Sequence, residues 1–219
     1  MPAVNDDAPV TGARPLGLVL AAGSGTRLGR GPKALLPHDG GSLVEHVVRA
    51  LLDGGCTEAV VVVGAGAGEV RGVLAAAAGV RCVQNPQWRA GMGSSLRIGL
   101  ADVGPGRDVL VTPVDRPGLS AAAVRRVVAA HRGDITVAAH RDGAGRLQRG
   151  HPVLLGAAWT AAAAAAAHDD VGARELLAAR QDRVQWVDCS DLEDGADVDL
   201  PTDLWRLSQE GRAALPPRR

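Results

Sequence analysis

A short apolar run, Leu16–Ala22, passes without a break into the glycine-rich stretch Gly23–Gly31. An apolar run of strand length that stops at glycine reads as a strand covered on both faces. The chain must therefore bury this segment inside a sheet and then turn sharply at its end. The same pattern recurs. Ala59–Val63 is a β-branched strand, and further strands are expected around Val80–Gln84, Asp108–Val114 and Asp134–His140. Between them fall helical stretches. Ser42 and Glu45 form a capping box ahead of the stripe Leu43, Val44, Val47, Val48, Leu51 and Leu52, and Gly54-Gly55 ends that helix. Helices are also expected at Gly68–Ala78, Ser94–Val103 and Ser120–Arg132, the last capped by Ser120. Strands alternating with helices imply an α/β fold built on a parallel, doubly wound sheet. Right-handed crossovers then gather the loops after the strands at one edge, where ligands bind.

Residues 141–156 break the rhythm. Asp142-Gly143-Ala144-Gly145 is a turn cluster, and His151–Leu155 reads as a short strand in an excursion from the sheet that could cover a site. Ala161–Ala167 is explained by helix propensity alone. A last helix is expected to start near Pro201. Residues 1–14 and 211–219 read as tails, leaving 15–210 as one domain.

Composition narrows the partners. The 219 residues carry no net charge, and Phe and Tyr are absent. No basic stripe with interleaved aromatics is present, which argues against nucleic acid. Three scattered cysteines form neither a disulfide framework nor a CxxC metal pattern, so a reducing compartment is expected. No apolar stretch approaches a membrane span and no signal-peptide order is seen, so a cytoplasmic protein without membrane attachment is expected.

The glycine stretch carries the strongest chemical signal: Leu20-Ala21-Ala22-Gly23-Ser24-Gly25-Thr26-Arg27-Leu28-Gly29, then Pro32-Lys33. Glycines let backbone N–H groups curl around an anion, and Thr26, Arg27 and Lys33 add donors and charge suited to a triphosphate. A dinucleotide GxGxxG would need glycine where Leu28 stands, and a Walker A loop would need Ser or Thr after Lys33, where Ala34 stands. Lys33 is the sole lysine in a chain that otherwise uses arginine. A compact ammonium suits a phosphate in a tight loop.

Four other segments carry candidate chemistry. Val109–Val114 delivers Asp115 to the end of a strand, where a lone carboxylate is a good Mg²⁺ ligand, whereas Ser120 is better placed to cap the next helix. Asp199 could supply a second carboxylate or simply complement a helix start; both readings stand. Asn85–Leu96 follows a strand and opens a helix. Gly93, Ser94 and Ser95 there could hold a base edge or an anion, or Ser94 could only cap. Arg149, Gly150, His151 and Pro152 lie where an acceptor could approach; His151 could meet an acceptor phosphate or be structural.

The segments LAAGSGTRLGRGPKALLP, NPQWRAGMGSSLRIGL, VTPVDRPGLS, RGHPVLL and DVDLPTDL occur in the order seen in MobA-like NTP transferases. The resemblance runs from about Leu16 to Leu207 and is strongest to the molybdenum cofactor cytidylyltransferase branch. It implies a Rossmann-like, mostly parallel sheet of the nucleotide-diphospho-sugar transferase type in three α/β/α layers, with Leu20 to Arg27, Lys33 and Asn85 binding the NTP, Gly93, Ser94 and Ser95 near the base, and Asp115 binding Mg²⁺ with Asp199 as a second metal-side carboxylate. Ala21-Ala22-Gly23 is similar to the CTP-using branch. Arg116 stands where that branch usually has Gln, which bears on base or acceptor preference. Leu200 stands where Thr is usual, which bears on Asp199. The implied reaction moves CMP, less readily GMP, from an NTP to a phosphorylated acceptor such as molybdopterin, releasing pyrophosphate. Arg27, Lys33 and Asp115 are its catalytic groups, Arg149 to Pro152 its acceptor contacts, and a molybdoenzyme a recipient of the product. The rival readings are transfer to a sugar or alcohol phosphate, an NAD(P)H-dependent oxidoreductase on a MobA-like scaffold, and a non-catalytic cofactor chaperone.

Overall fold

The computed structural model describes residues 14–208. Most of the two expected tails lies outside that range. In chain order the elements are β1 (Leu16–Ala21), β2 (Pro37–His38), β3 (Gly41–Ser42), α1 (Leu43–Asp53), β4 (Ala59–Val63), α2 (Ala67–Leu74), β5 (Val80–Gln84), α3 (Met92–Val103), β6 (Val109–Pro113), α4 (Ala121–Ala130), β7 (Ile135–Arg141), β8 (Leu147–Leu155), α5 (Thr160–Ala166), α6 (Arg174–Ala179) and β9 (Val184–Asp188).

Seven strands form one sheet in the order β5-β4-β1-β6-β8-β7-β9. Every pairing is parallel except those of β8, which runs antiparallel to both β6 and β7. Strand residues alternate between two cores, as the period of two requires. Val19, Ala21, Val61 and Val63 pack under α1, α2 and α4, while Leu16, Leu18, Val60 and Val62 pack under α3, α5 and α6. These are the three expected layers. The chain winds outward from β1 through β4 to β5, then returns to β6 on the other flank of β1. The direction of winding therefore reverses between β1 and β6, and the crevice beyond the C-terminal ends of such a strand pair is where open α/β sheets bind ligands.

Three expectations need correction. The segment after β7 is not an excursion from the sheet: Leu147–Leu155 is a nine-residue strand wedged between β6 and β7. Asp142 makes this possible by taking the Ala144 and Arg146 backbone N–H groups on Oδ1, which closes a hairpin. Its outer half is exposed and polar, so the sequence shows only the buried half as a strand. Second, no α-helix starts at Pro201. Pro201–Leu207 is a 3₁₀ run, and Asp203 accepts the backbone N–H groups of Asp199 and Leu200 at its start. Third, α2 ends at Leu74, short of Ala78, because the chain must turn at Gly79 to enter β5.

Candidate functional site

The crevice between the β1 and β6 ends opens into a cleft of about 800 Å³. Its near wall is the glycine loop: Leu20, Ala22, Gly23, Ser24, Gly25, Thr26, Arg27 and Lys33 all face it. Ala21 does not. It alternates to the opposite face of the strand and is buried in the core. The loop curls at Gly25, where φ is +65° and a Cβ would stand 2.2 Å from the Gly31 carbonyl oxygen, so only glycine permits the fold-back. Leu28 and Gly29 donate backbone N–H groups to the Gly25 carbonyl, which tightens the turn.

Lys33 reaches across the crevice. Its Nζ lies 2.7 Å from Asp115 Oδ2 and 2.5 Å from Asp199 Oδ1. Burial works against its charge, but attraction and hydrogen bonding to Asp115, then to Asp199, more than compensate. The ammonium is held above its ordinary pKa. Arg27, largely exposed, touches Asp199 Oδ1 more loosely at 3.4 Å. Asp115 is fixed by the end of β6, and its carbonyl accepts the Val198 N–H at 3.0 Å, which ties the loop bearing Asp199 to that strand. Asp197 lies nearby. Partial loss of solvation, then repulsion by Asp115 and Asp199, pushes its half-exposed carboxyl up to about 6 against the pull of Arg116 and Lys33.

The donor set suits a hard cation. Two carboxylates contact one ammonium, so their oxygens stand close enough to share a small ion. Asp115 Oδ1 is enclosed without a hydrogen-bond partner. Among the described residues, no cluster of three or more His, Cys, Asp or Glu side chains is arranged to hold a metal. A cation held by Asp115 and Asp199 would complete its shell with water and phosphate oxygens, which is how Mg²⁺ is usually held.

The far wall comprises Trp88, Arg89, Gly91, Met92, Ser95 and Asp170. Asn85 does not reach the cleft. It is fully buried, donates its amide to Ser94 Oγ at 2.8 Å and Ser95 Oγ at 3.0 Å, and accepts the Gln87 N–H. Ser94 turns inward with it and bonds the Gly91 carbonyl. Gly93 lies against the backbone of His168, with no room for a Cβ. Of the base-side group expected from sequence, only Ser95 lines the cleft; the others hold that wall in place. Trp88 and Asp170 line the cleft although the sequence analysis gave neither a role there. Trp88 sits in a motif already singled out, whereas nothing marks Asp170, which follows the alanine-rich helix and is held at the wall by accepting the Met92 N–H and by the Gly93 N–H on the neighbouring Asp169 carbonyl.

None of Arg149, Gly150, His151 and Pro152 lines the cleft. The antiparallel register of β8 on β6 carries them toward the Asp115 end of β6. His151 Nδ1 is enclosed without a hydrogen-bond partner. Burial, then the Arg116 and Arg149 charges, pulls its pKa down to about 3. The ring is neutral at pH 7 and carries no charge for a phosphate. Burial and the neighbouring Arg174 hold the Arg149 guanidinium below its ordinary value. Arg116 turns away from the cleft altogether. Its side chain is 2% exposed and faces Glu193 and Asp197, so it makes no direct contact with a base or acceptor there.

Fold and cleft together are those of a nucleotide-handling α/β enzyme. Residues 17–184 match the MobA-like NTP transferase domain, and the chain belongs to that nucleotidyltransferase family. It is 44% identical over 194 residues to a protein named nicotine blue oxidoreductase from Paenarthrobacter nicotinovorans, an alignment covering 87% of this chain and 95% of that one. In structure it is similar to a nucleotidyl transferase from Methanothermobacter thermautotroptrophicus, with TM-score 0.78, 25% identity, and 93% of this chain and 100% of that chain covered. It is also similar to the manganese complex of Rv0371c from Mycobacterium tuberculosis, with TM-score 0.67, 27% identity, and 89% and 98% covered. Among the described residues no helix is long and apolar enough to cross a membrane.

Proposed function

We propose that this chain transfers CMP from CTP, with GTP the poorer donor, to the phosphate of a small acceptor, molybdopterin or its metal-bound form, with Mg²⁺ as the cation. The observation that carries the reading is the Lys33 ammonium seated between Asp115 and Asp199 at the mouth of the glycine loop. The loop N–H groups, Arg27 and Lys33 hold the triphosphate and stabilise the charge that builds on the departing pyrophosphate. Asp115 and Asp199 would hold Mg²⁺, which when bound neutralises phosphate charge and aligns the reacting oxygens. The acceptor phosphate is already ionised and attacks the α-phosphorus in line. No strong general base is needed, in keeping with a neutral His151 outside the cleft. In this reading Ala22 of the Ala21-Ala22-Gly23 segment speaks for CTP, and a cytoplasmic molybdoenzyme receives the product.

A second reading has one observation in its favour: the relative named an oxidoreductase aligns over nearly its full length. Against it, the loop has Leu28 where a dinucleotide fingerprint has glycine. One preparation tests both. The four NTPs are offered with Mg²⁺ and molybdopterin or a sugar phosphate, and pyrophosphate is scored; NAD(P)H is offered with a quinoid dye and no metal. Pyrophosphate release that requires CTP and molybdopterin is the expected result. Dye-dependent NAD(P)H oxidation with no NTP turnover would overturn it in favour of the second reading.

A further inference from the structure

The loop Cys189–Leu200 carries Asp199 but contains no helix or strand, so something else must fix it. The fixing point is Glu193. Its carboxylate is fully enclosed and serves three separate segments at once. Oε1 accepts from Arg116 Nη2 at 3.0 Å and lies 3.0 Å from His140 Nε2, while Oε2 accepts the Ser120 backbone N–H at 3.1 Å. One carboxylate therefore joins the end of β6, the end of β7, the start of α4 and the loop that delivers Asp199. His140 is held in turn by two close approaches. A Cβ at Gly195 would stand 2.4 Å from its ring, and one at Gly150 would stand 2.7 Å from Nδ1.

Arg116 is the other half of the device. It is the residue directly after Asp115, and its guanidinium spans from Glu193 to Asp197 Oδ1, 3.5 Å away. It thus hydrogen-bonds Glu193 to the strand that bears Asp115 and draws Asp197 toward it only by charge, since Nε makes no hydrogen bond. The Val198 N–H on the Asp115 carbonyl completes the link. A planar, permanently charged fork fits this bridging duty better than a glutamine would. The cation also sits where carboxylates Asp115, Asp197 and Asp199 crowd together and offsets their repulsion.

We infer that Arg116 and Glu193 are a coupled pair of positioning residues that set the separation of Asp115 and Asp199, and through it the grip of the site on a divalent cation. The inference rests on the assignment of those two aspartates as the cation's ligands. Neither Arg116 nor Glu193 lines the cleft; both act through the carboxylates, as groups behind metal ligands commonly do.

The test uses the full chain and Mn²⁺ alone, followed by the loss of the free-ion electron paramagnetic resonance signal. Arg116→Met and Glu193→Gln are expected to weaken Mn²⁺ binding about 10-fold or more, in the range that such supporting groups command. Arg116→Lys recovers part of the loss, because it restores the charge without the fork. The double variant R116Q/E193Q is no worse than either single change, because each partner's worth depends on the other. With metal in excess, kcat recovers while nucleotide KM stays near the wild-type value, a split that general unfolding would not give. Should Arg116→Met fail to fold, Arg116→Lys and the double variant carry the same readout. Wild-type Mn²⁺ affinity in folded Arg116→Lys and R116Q/E193Q, with Asp199→Asn weakened, overturns the inference and leaves the ligand assignment intact. Undiminished binding in Asp199→Asn overturns the ligand assignment and the inference together.

Discussion

Lys33 Nζ and Asp115 Oδ2 meet at 2.7 Å although 82 residues separate them along the chain. The contact exists because β1 and β6 are parallel neighbours in register, Leu18 beside Val111 and Leu20 beside Pro113, so their C-terminal loops leave the sheet side by side. The ammonium stands where positive charge is needed between two carboxylates. Under the proposed function, a cation arriving with a triphosphate must share or displace it.

That arrangement predicts opposite effects for one substitution. Lys33→Met removes a competing cation from between Asp115 and Asp199, so Mn²⁺ binding in the absence of nucleotide becomes tighter. Turnover falls about 100-fold or more, because a donor to the departing phosphate is lost. Metal titration and steady-state rates measure the two sides. Weaker metal binding in Lys33→Met would show that the lysine organises the carboxylates and does not compete at their site.

Much of this was legible in the sequence. The strand-to-glycine junction after Leu20, the compositional oddity of Lys33 and the strand ending at Asp115 are local patterns, and all three converge in the cleft. What stayed hidden depends on contacts between distant segments. β8 was half-visible because its outer residues are polar wherever the hairpin extends past the sheet. Asn85 sat in the right motif, yet only packing shows its amide turned inward on Ser94 and Ser95. Asp170 and Glu193 have no local signature. An aspartate after an alanine-rich helix and a glutamate in an Asp-rich loop look like solvated charges until the fold places them.

The inward amide of Asn85 gives the second prediction. Its removal in Asn85→Ala leaves the Gln87 N–H and the Ser94 and Ser95 hydroxyls without their buried partner, at about 1–3 kcal/mol for a group left unsatisfied. Urea unfolding measures that loss. Because Ser95 lines the cleft, nucleotide KM should rise more than kcat falls. An unchanged KM with the stability loss intact would confine Asn85 to folding.

His151 sets a pH dependence of stability. Its pKa in the fold, about 3, lies below the ordinary histidine value, so protonation favours the unfolded chain. The contribution of the neutral ring is complete above about pH 6.5 and is lost as pH falls through the window toward 3, at no more than about 1.4 kcal/mol per pH unit for one proton. Urea midpoints at pH 7 and pH 5 should differ in the wild type, and the difference should shrink in His151→Gln. Equal pH slopes in the two proteins would show that His151 is not the group responsible.

Two glycine substitutions with opposite expected signs test how the far wall is built. At Gly93 a new Cβ would stand 2.5 Å from the His168 backbone nitrogen, and backbone cannot yield as a flexible side chain does. Gly93→Ala must push away residues 168–170, breaking the bond from the Gly93 N–H to the Asp169 carbonyl and moving Asp170 off the Met92 N–H. Overpacking of this kind costs about 1–3 kcal/mol, and nucleotide affinity should fall with it because Asp170 leaves the cleft wall. Gly72, inside α2, has nothing beyond its own helix backbone and chain neighbours within 4 Å of its added Cβ. Gly72→Ala should therefore stabilise the chain by about 0.5–1 kcal/mol through helix propensity and leave nucleotide binding unchanged. Urea midpoints and nucleotide titrations on both variants decide the matter. A Gly93→Ala protein that is destabilised but binds nucleotide like the wild type would remove Asp170 from the binding wall.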